Sequence, residues 1–454
     1  MARWQYITPA ILLIVLISFF YHTAPASRAR PTPYVPADAD TETATEDTER
    51  PLPSCGPNIP YLKELARTGS IEYARQEVVL QPCPSGRRCD SNHIGLSLPN
   101  FNTVQLNEEN QDTVHTQKGC DTPFYLPLQE PPKRADASHL VFGVATDIER
   151  LKESIEQFAH WAGHTKTRIM AILSPCERED IRFVEERAAE LGISLQIEAI
   201  DMEFNDRYFA LTKKLYDTRQ ENTEWGIIID DDTFFLSISN LISYLNQFDA
   251  NKGHYLGGLT EDLNQVHNFG LMAYGGGGVI LSMPLLAKLR PVYDKCNEDK
   301  STGDRRIGNC VHEYTITKLF PNPAFHQLDL HDDISGFFES GRPQPLSIHH
   351  WKSWYHVNVT ALAAVATVCG DACLLKRWKM ADGWFLTNGF SIVKYSTDVP
   401  ADEIRMEETW PNRGVYKHSL DPLRRKDERK FQYRLEAAER EDGCLLYTSP
   451  SPRD

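Results

Sequence analysis

The chain reads as an α/β protein, a mostly parallel sheet with helices flanking both faces. Two observations predict it. From His139 onward, short apolar runs alternate with amphipathic helical ones, the order that sets crossover helices against a parallel sheet. Within "EWGIIIDDDTFF" the segment Trp225–Ile229 is short and wholly apolar, as a strand buried on both faces must be. "HLVFGVATD" gives the first strand, and "IERLKESIEQFAHWAG" a helix with Ile148, Leu151, Ile155 and Phe158 on one face. "TRIMAILSP" is the second strand, "REDIRFVEERAAELG" a helix ended by Gly192, and "ISLQIEAID" the third strand. A further helix, "YFALTKKLYDTRQ", leads into the strand before the acidic run. Ligands of such sheets bind beyond the carboxyl ends of the strands, where Asp230, Asp231 and Asp232 fall.

Composition narrows the setting. The chain has 454 residues, with 48 Lys and Arg against 63 Asp and Glu, a formal net charge of −15 that argues against nucleic acid as partner. Trp4 to Tyr21 is uncharged and apolar, close to the minimum for crossing a bilayer, with Trp4, Tyr6 and Tyr21 suited to the interfaces. A membrane anchor is the preferred reading. A cleaved signal peptide is the alternative, with Ala24-Pro25-Ala26 as a loose cleavage site. Residues 22–54 are too polar and too rich in Pro, Thr and acids to fold, and read as a stalk. All ten cysteines follow it: Cys55, Cys83, Cys89, Cys120, Cys176, Cys296, Cys310, Cys369, Cys373 and Cys444. With the acceptor sequence Asn358-Val359-Thr360, they point to an oxidising lumen. Cys83 and Cys89, and Cys296 and Cys310, are spaced to close small loops; Cys369 and Cys373 pair with one another or with distant partners.

Four motifs carry chemistry. Divalent cations such as Mg²⁺ and Mn²⁺ take carboxylate oxygens together with substrate phosphates, so the Asp run suits a metal clamp on a diphosphate. Alternation along an extended segment would send Asp230 and Asp232 to one side and Asp231 to the other. The competing reading is a solvated turn whose Asp caps the helix near "SISNLISYLNQF". A phosphotransferase motif fails because Phe234 stands where Thr or Val is needed, and no GxxxxGK[ST] loop is present. Second, Gly275, Gly276, Gly277 and Gly278 follow Tyr274 and let a ligand approach the backbone. Third, His312 and Glu313 open an expected helix beside Cys310. Fourth, His349 and His350 end a strand in "PLSIHHW".

A strand ending in "DDDTFF", then "YGGGGVILS", "HEYTITKLF" and "PLSIHHW" resembles the Fringe-like family 31 glycosyltransferases of β1,3 type, with wording nearest their fungal and plant members. The resemblance covers residues 138–355. It implies a GT-A fold and an inverting transfer of a sugar from a UDP-sugar to a hydroxyl of a glycan or glycoprotein, dependent on Mn²⁺. It also implies a single-pass type II Golgi membrane protein with its catalytic domain in the lumen. Carried over by residue, Asp232 and His349 resemble the metal ligands, with His350 in place of His349 if the register is one off. Asp230 and Asp231 help hold nucleotide and metal, Tyr274 and the glycines form the donor wall, and Glu313 is the acidic base. The family's acidic pair reads His312-Glu313 here, a departure.

The implied organisation is a cytosolic tail at 1–3, the span at 4–21, the stalk at 22–54 and an irregular region at 55–137. The catalytic domain follows at 138–355, then an extension at 356–445 and a disordered tail at 446–454. The extension carries a hairpin signal at Asn388-Gly389 and an expected charged helix in "RRKDERKFQYRLEAAERE". A catalytically inactive sugar-binding module is the rival function, and a metal-dependent hydrolase a weaker third.

Overall fold

A computed structural model describes residues 12–20, 63, 69–82, 102–106, 113–115, 124–128, 135–330, 334–395, 407–408, 424–425, 430–435, 437–441 and 444–450. The α/β unit begins with β1 (Leu140–Thr146), α1 (Ile148–Ala162), β2 (Arg168–Leu173), α2 (Arg178–Glu190), β3 (Ser194–Ala199), α3 (Phe204–Asp217) and β4 (Trp225–Ile229). Then come β5 (Phe234–Phe235), α4 (Ile238–Leu245), β6 (Tyr255–Gly257), α5 (Leu263–Phe269), β7 (Val279–Ser282) and α6 (Met283–Leu289). Last are α7 (Gly303–Tyr314), β8 (Leu319–Pro321), α8 (Ser335–Glu339) and β9 (Ser347–Ile348).

Seven strands form the central sheet in the order β8-β6-β7-β4-β1-β2-β3. The β4-β1-β2-β3 half is parallel, as the alternating pattern requires, whereas β7 runs antiparallel to both β4 and β6. Strand alternation divides the apolar side chains between two cores. Leu140, Phe142 and Val144 of β1 face a layer with Leu151, Ile155, Phe158 and Trp161 of α1 and with Ile227 and Ile229 of β4. Val141 and Ala145 face the other layer, with Phe209, Leu211 and Leu215 of α3, Leu285 and Leu286 of α6, and Ile307 and Val311 of α7. Both helix layers are therefore closed by burial, and β4 is buried along its whole length, as its unbroken apolar run anticipates. The carboxyl ends of β1 and β4 lie side by side, because Val144 pairs with Ile229. Asp230 to Asp232 leave the sheet at that edge.

A second layer of structure follows. The helix α9 (Val359–Cys369) packs with the antiparallel sheet β10-β11-β12-β13, formed by Arg377–Lys379, Trp384–Thr387, Ser391–Tyr395 and Lys430–Arg434. Phe337, Phe338, Leu362, Trp378, Trp384, Ile392 and Tyr433 share its core with Phe234 and Ile348. The hairpin is present where Asn388-Gly389 marks it, with Gly389 at φ +78° and Thr387 paired to Ser391. Cys296 pairs with Cys310 and Cys369 with Cys373; the Cys83–Cys89 loop lies outside the described residues.

Two expectations about the flanks are corrected. Lys430–Arg434 and Ala437–Glu441 are strands, where a charged helix was expected. Lys430–Arg434 is held extended by its antiparallel pairing with Ser391–Tyr395, where Tyr433 is buried beside Trp384 while Phe431 is 63% exposed. The region expected to be irregular contains strands Gly69–Pro82, Asn102–Leu106, Thr113–His115 and Phe124–Leu128. These join Leu12–Phe20, Ala437–Glu441 and Cys444–Pro450 in one sheet, so that part of the expected tail is a strand. Of the expected membrane span only 12–20 is described, as a strand and not a helix, and the stalk lies outside the described residues. Among the described residues no helix is long and apolar enough to cross a membrane.

The unequal burial of these two rings is testable by truncation. Tyr433→Ala should lower the unfolding free energy by about 3 kcal/mol, while Phe431→Ala should stay within about 0.5 kcal/mol of the parent. Urea denaturation of both variants measures this; equal effects would contradict the burial of Tyr433 and the exposure of Phe431.

Candidate active site

The site forms where β4 ends. Thr233 closes a tight turn there: its backbone N–H donates to the Asp230 carbonyl at 3.1 Å, and its hydroxyl accepts from the Asp230 N–H at 3.1 Å. The same hydroxyl donates to the Gly276 carbonyl at 2.9 Å, tying the acidic run to the glycine turn. β5 then pairs antiparallel with β9, Phe234 opposite Ile348 and Phe235 opposite Ser347. That register delivers His349 and His350 beside the aspartates.

The three carboxylates diverge around this turn, not along an extended strand. His349 Nε2 lies 2.9 Å from Asp232 Oδ1 and 3.3 Å from Asp230 Oδ2. Asp231 turns to the other side, where Arg150 grips it through Nε at 2.6 Å and Nη2 at 2.5 Å, and the Thr146 hydroxyl also donates to it. Lys352 Nζ stands 3.6 Å from the same carboxylate. Asp231, expected to hold nucleotide and metal, is thus bound by the protein's own cations. The helix α4 takes its cap from Ser237, whose hydroxyl accepts from the Asn240 N–H at 3.3 Å, so no aspartate of the run is used as a helix cap.

Asp232 and His349 are both 3% exposed. Burial alone would raise the Asp232 carboxyl, but the adjacent His349 holds it well below the usual carboxylate range. Burial likewise works against a charged His349, and the carboxylates of Asp232 and Asp230 overcome it, raising the imidazole well above its ordinary value. His349 Nδ1 faces the Gln327 carbonyl at 3.1 Å, which orients the ring with Nε2 toward the acids. His350 adopts φ +61°, stacks on Trp354 at 4.1 Å, and places Nε2 3.2 Å from Asp329 Oδ1. Asp232, His349 and His350 each offer a ligand atom, all within 4.8 Å of one another. A carboxylate oxygen with imidazole nitrogens suits a divalent transition metal such as Mn²⁺, and the residues present fit one.

Gly275–Gly277 make a single turn of 3₁₀ helix, and Gly278 leaves it at φ +104°. A Cβ on Gly276 would overlap the His349 ring, and one on Gly275 would strike the Tyr208 hydroxyl. At Gly277 the nearest atom would stand at an ordinary 3.5 Å. Two of the four glycines are therefore required by close approach and one by conformation. Tyr274 is buried, and its hydroxyl reaches the Gly270 carbonyl at 3.3 Å.

The expected base is not among these groups. Glu313 and His312 are exposed on the last turn of α7. The carboxylate that α7 brings to the glycine turn is Asp304, in its first turn, whose Oδ2 accepts from the Gly275 N–H at 3.2 Å. Nine residues separate it from Glu313, about 14 Å along the helix axis. Burial, with Asp230 adding repulsion, pushes the Asp304 carboxyl up. Its Oδ1 accepts from the Thr302 hydroxyl and the Arg305 N–H, both at 2.8 Å. Sequence reasoning missed Asp304 by starting this helix at His312; the "TGD" before it is a helix-opening signal that would have found it.

Residues 263–369 match the family described as "Protein of unknown function, DUF604". That stretch contains the glycine turn, Asp304 and the histidine pair. A human β-1,3-glucosyltransferase is 28% identical over 162 residues, 35% of this chain; the match spans about a third (31%) of the human protein. Among solved structures, the glycosyltransferase GlyE of Streptococcus pneumoniae gives a TM-score of 0.33 at 12% identity, covering 50% of this chain and 59% of that one. The mannosyltransferase PcManGT of Pyrobaculum calidifontis, in complex with GDP-Man and Mn²⁺, gives 0.29 at 12% identity, covering 41% and 55%.

The glycine geometry predicts an asymmetry between neighbours. Gly276→Ala should destabilise the protein by about 1–3 kcal/mol, because His349 is fully packed and cannot yield. Gly277→Ala should be far milder. Thermal unfolding of the two variants checks it, and an equal loss in both would contradict this packing.

Proposed function

We propose that the chain is a glycosyltransferase of GT-A type that moves a sugar from a UDP-sugar to a hydroxyl of a glycan or glycoprotein, forming a β1,3 linkage with inversion. The observation that carries the reading is the meeting of Asp232 with His349 at 2.9 Å beside the glycine turn, at the carboxyl edge of the sheet. The partial likeness to a β-1,3-glucosyltransferase supports the substrate class.

Asp232 and His349 would hold Mn²⁺ or another divalent cation, Asp230 is placed to join them, and His350 is held beside the site by Asp329 and Trp354. When bound, that cation supplies positive charge against the leaving diphosphate. The glycine turn lets the donor lie against the backbone, and buried Tyr274 closes that wall. Asp304 takes the proton from the acceptor hydroxyl on its carboxylate as the hydroxyl attacks the anomeric carbon from the face opposite UDP. A single base and a single displacement invert the configuration. Arg150 and Lys352 hold Asp231 turned away and set positive charge beside it, so that its charge does not oppose the donor's phosphates.

Asp232→Asn should abolish metal-dependent UDP binding in calorimetry while the circular dichroism spectrum is unchanged. Asp304→Asn should lower turnover about a hundredfold or more with donor affinity nearly unchanged, and Glu313→Gln should behave as the parent. A base works only when ionised, so the raised Asp304 carboxyl should put the acid limb of kcat/KM above the usual carboxylate range, activity rising with pH through it. An inactive Glu313→Gln beside an active Asp304→Asn would restore the assignment made from sequence.

The same reading places the protein in the Golgi membrane as a single-pass type II chain with its bulk in the lumen. The disulfides Cys296–Cys310 and Cys369–Cys373 and the exposed Asn358 support an oxidising, glycosylating compartment. In eukaryotic cells one N-glycan should be removable by glycosidase and absent from Thr360→Ala. An unmodified Asn358 in the parent would contradict this placement.

A further inference from the structure

Tyr208 lies on the apolar face of α3, in step with Leu211 and Leu215, and shares their core. It is buried, yet its hydroxyl has no hydrogen-bond partner among the described residues. Leaving a buried donor unpaired is costly, and packing alone would be served as well by phenylalanine. The hydroxyl calls for another explanation.

Its surroundings supply one. A Cβ built on Gly275 would strike the Tyr208 hydroxyl and stand 3.4 Å from Asp230 Oδ1, so both oxygens face the same side of that glycine. Asp230 meets His349 through its other oxygen, Oδ2, at 3.3 Å, and among the described residues no donor is bonded to Oδ1. A donor without an acceptor and an acceptor without a donor thus flank one backbone position. Asp304, the other carboxylate near Gly275, is already served by the Thr302 hydroxyl and by the N–H groups of Arg305 and Gly275. A phenol keeps its proton at neutral pH, and burial, with Asp230 and Asp304 nearby, strengthens its hold.

The ring of Tyr208 has a separate task. It fills the place of a Cβ on Gly303, one residue before Asp304. Phenylalanine would keep that contact and lose only the hydroxyl, so the two roles can be told apart.

We propose that Tyr208 is a positioning residue of the cation site, its hydroxyl donating to Asp230 when that carboxylate holds a divalent cation. The proposal rests on the glycosyltransferase reading for the presence of that cation. Once Asp230 shares a cation with Asp232 and His349, its second oxygen is the acceptor that the phenol lacks. Carboxylates that ligate a metal are held by such outer hydrogen bonds, and losing one costs about ten- to a hundredfold in metal affinity.

Titration with Mn²⁺, alone and with UDP, read by the paramagnetic resonance of the free ion, tests it on the parent and on Tyr208→Phe. The variant should bind Mn²⁺ about tenfold more weakly or worse. Before metal is added it should melt no lower than the parent, because an unpaired buried hydroxyl has been removed. Undiminished Mn²⁺ affinity in the variant would overturn the proposal. So would a variant that loses affinity and melting temperature together, since the hydroxyl would then be a structural group. The transferase reading fails differently, in the parent. Mn²⁺ binding that UDP does not strengthen would refute that reading and leave the role of Tyr208 standing on Mn²⁺ alone, whereas no Mn²⁺ binding under either condition would refute both.

Discussion

Two residue pairs, Phe234 with Ile348 and Phe235 with Ser347, hold the site together. The two phenylalanines face opposite ways. Phe235 packs into the core under the central sheet with Phe142 and Trp161, and Phe234 into the core of the second layer with Phe337 and Ile348. Neither ring is exposed to solvent. The short ladder is therefore clamped from both sides, and its register cannot slip by one residue without driving both rings into the wrong core. Because the ladder lies directly between the acidic run and the histidine pair, that clamp sets the distance between Asp232 and His349.

Charge explains the rest of the arrangement. Three adjacent carboxylates at the edge of a buried strand would repel one another unless each were compensated. The tight turn at Asp230–Thr233 separates them, so each side meets a different counter-group: a bidentate arginine for Asp231, a buried imidazole for Asp230 and Asp232. A divalent cation would displace the imidazole proton and take over this compensation, which links metal binding to ionisation of the site. Asp304 completes the cluster from α7, kept close by the Gly275 amide.

Much of this was legible in the residues. The unbroken apolar run of β4, the alternation of strand and helix, and the four glycines after Tyr274 each carry a local physical signature. Other features were not. The first turns of α7 contain Gly303, Arg305, Arg306 and Gly308, and their weak helical pattern hides the apolar face made by Ile307, Cys310 and Val311. Gly303 is tolerated there because the Tyr208 ring occupies the place of its Cβ, a contact no local pattern reveals. Residues 430–441 are rich in Lys, Arg and Glu and favour a helix when read alone; pairing of Lys430–Arg434 with β12 overrides that preference. The choice between His349 and His350 turns on a backbone in the left-handed region at His350, which sets its ring against Trp354 and Asp329.

The central claim is that Asp232 and His349 bind one divalent cation together. Pulsed electron paramagnetic resonance of the protein loaded with Mn²⁺ and UDP tests it most directly. A coupling from a directly bound imidazole nitrogen should be present in the parent, absent from His349→Gln and retained in His350→Gln. A spectrum without nitrogen coupling, or a coupling lost only in His350→Gln, would contradict it.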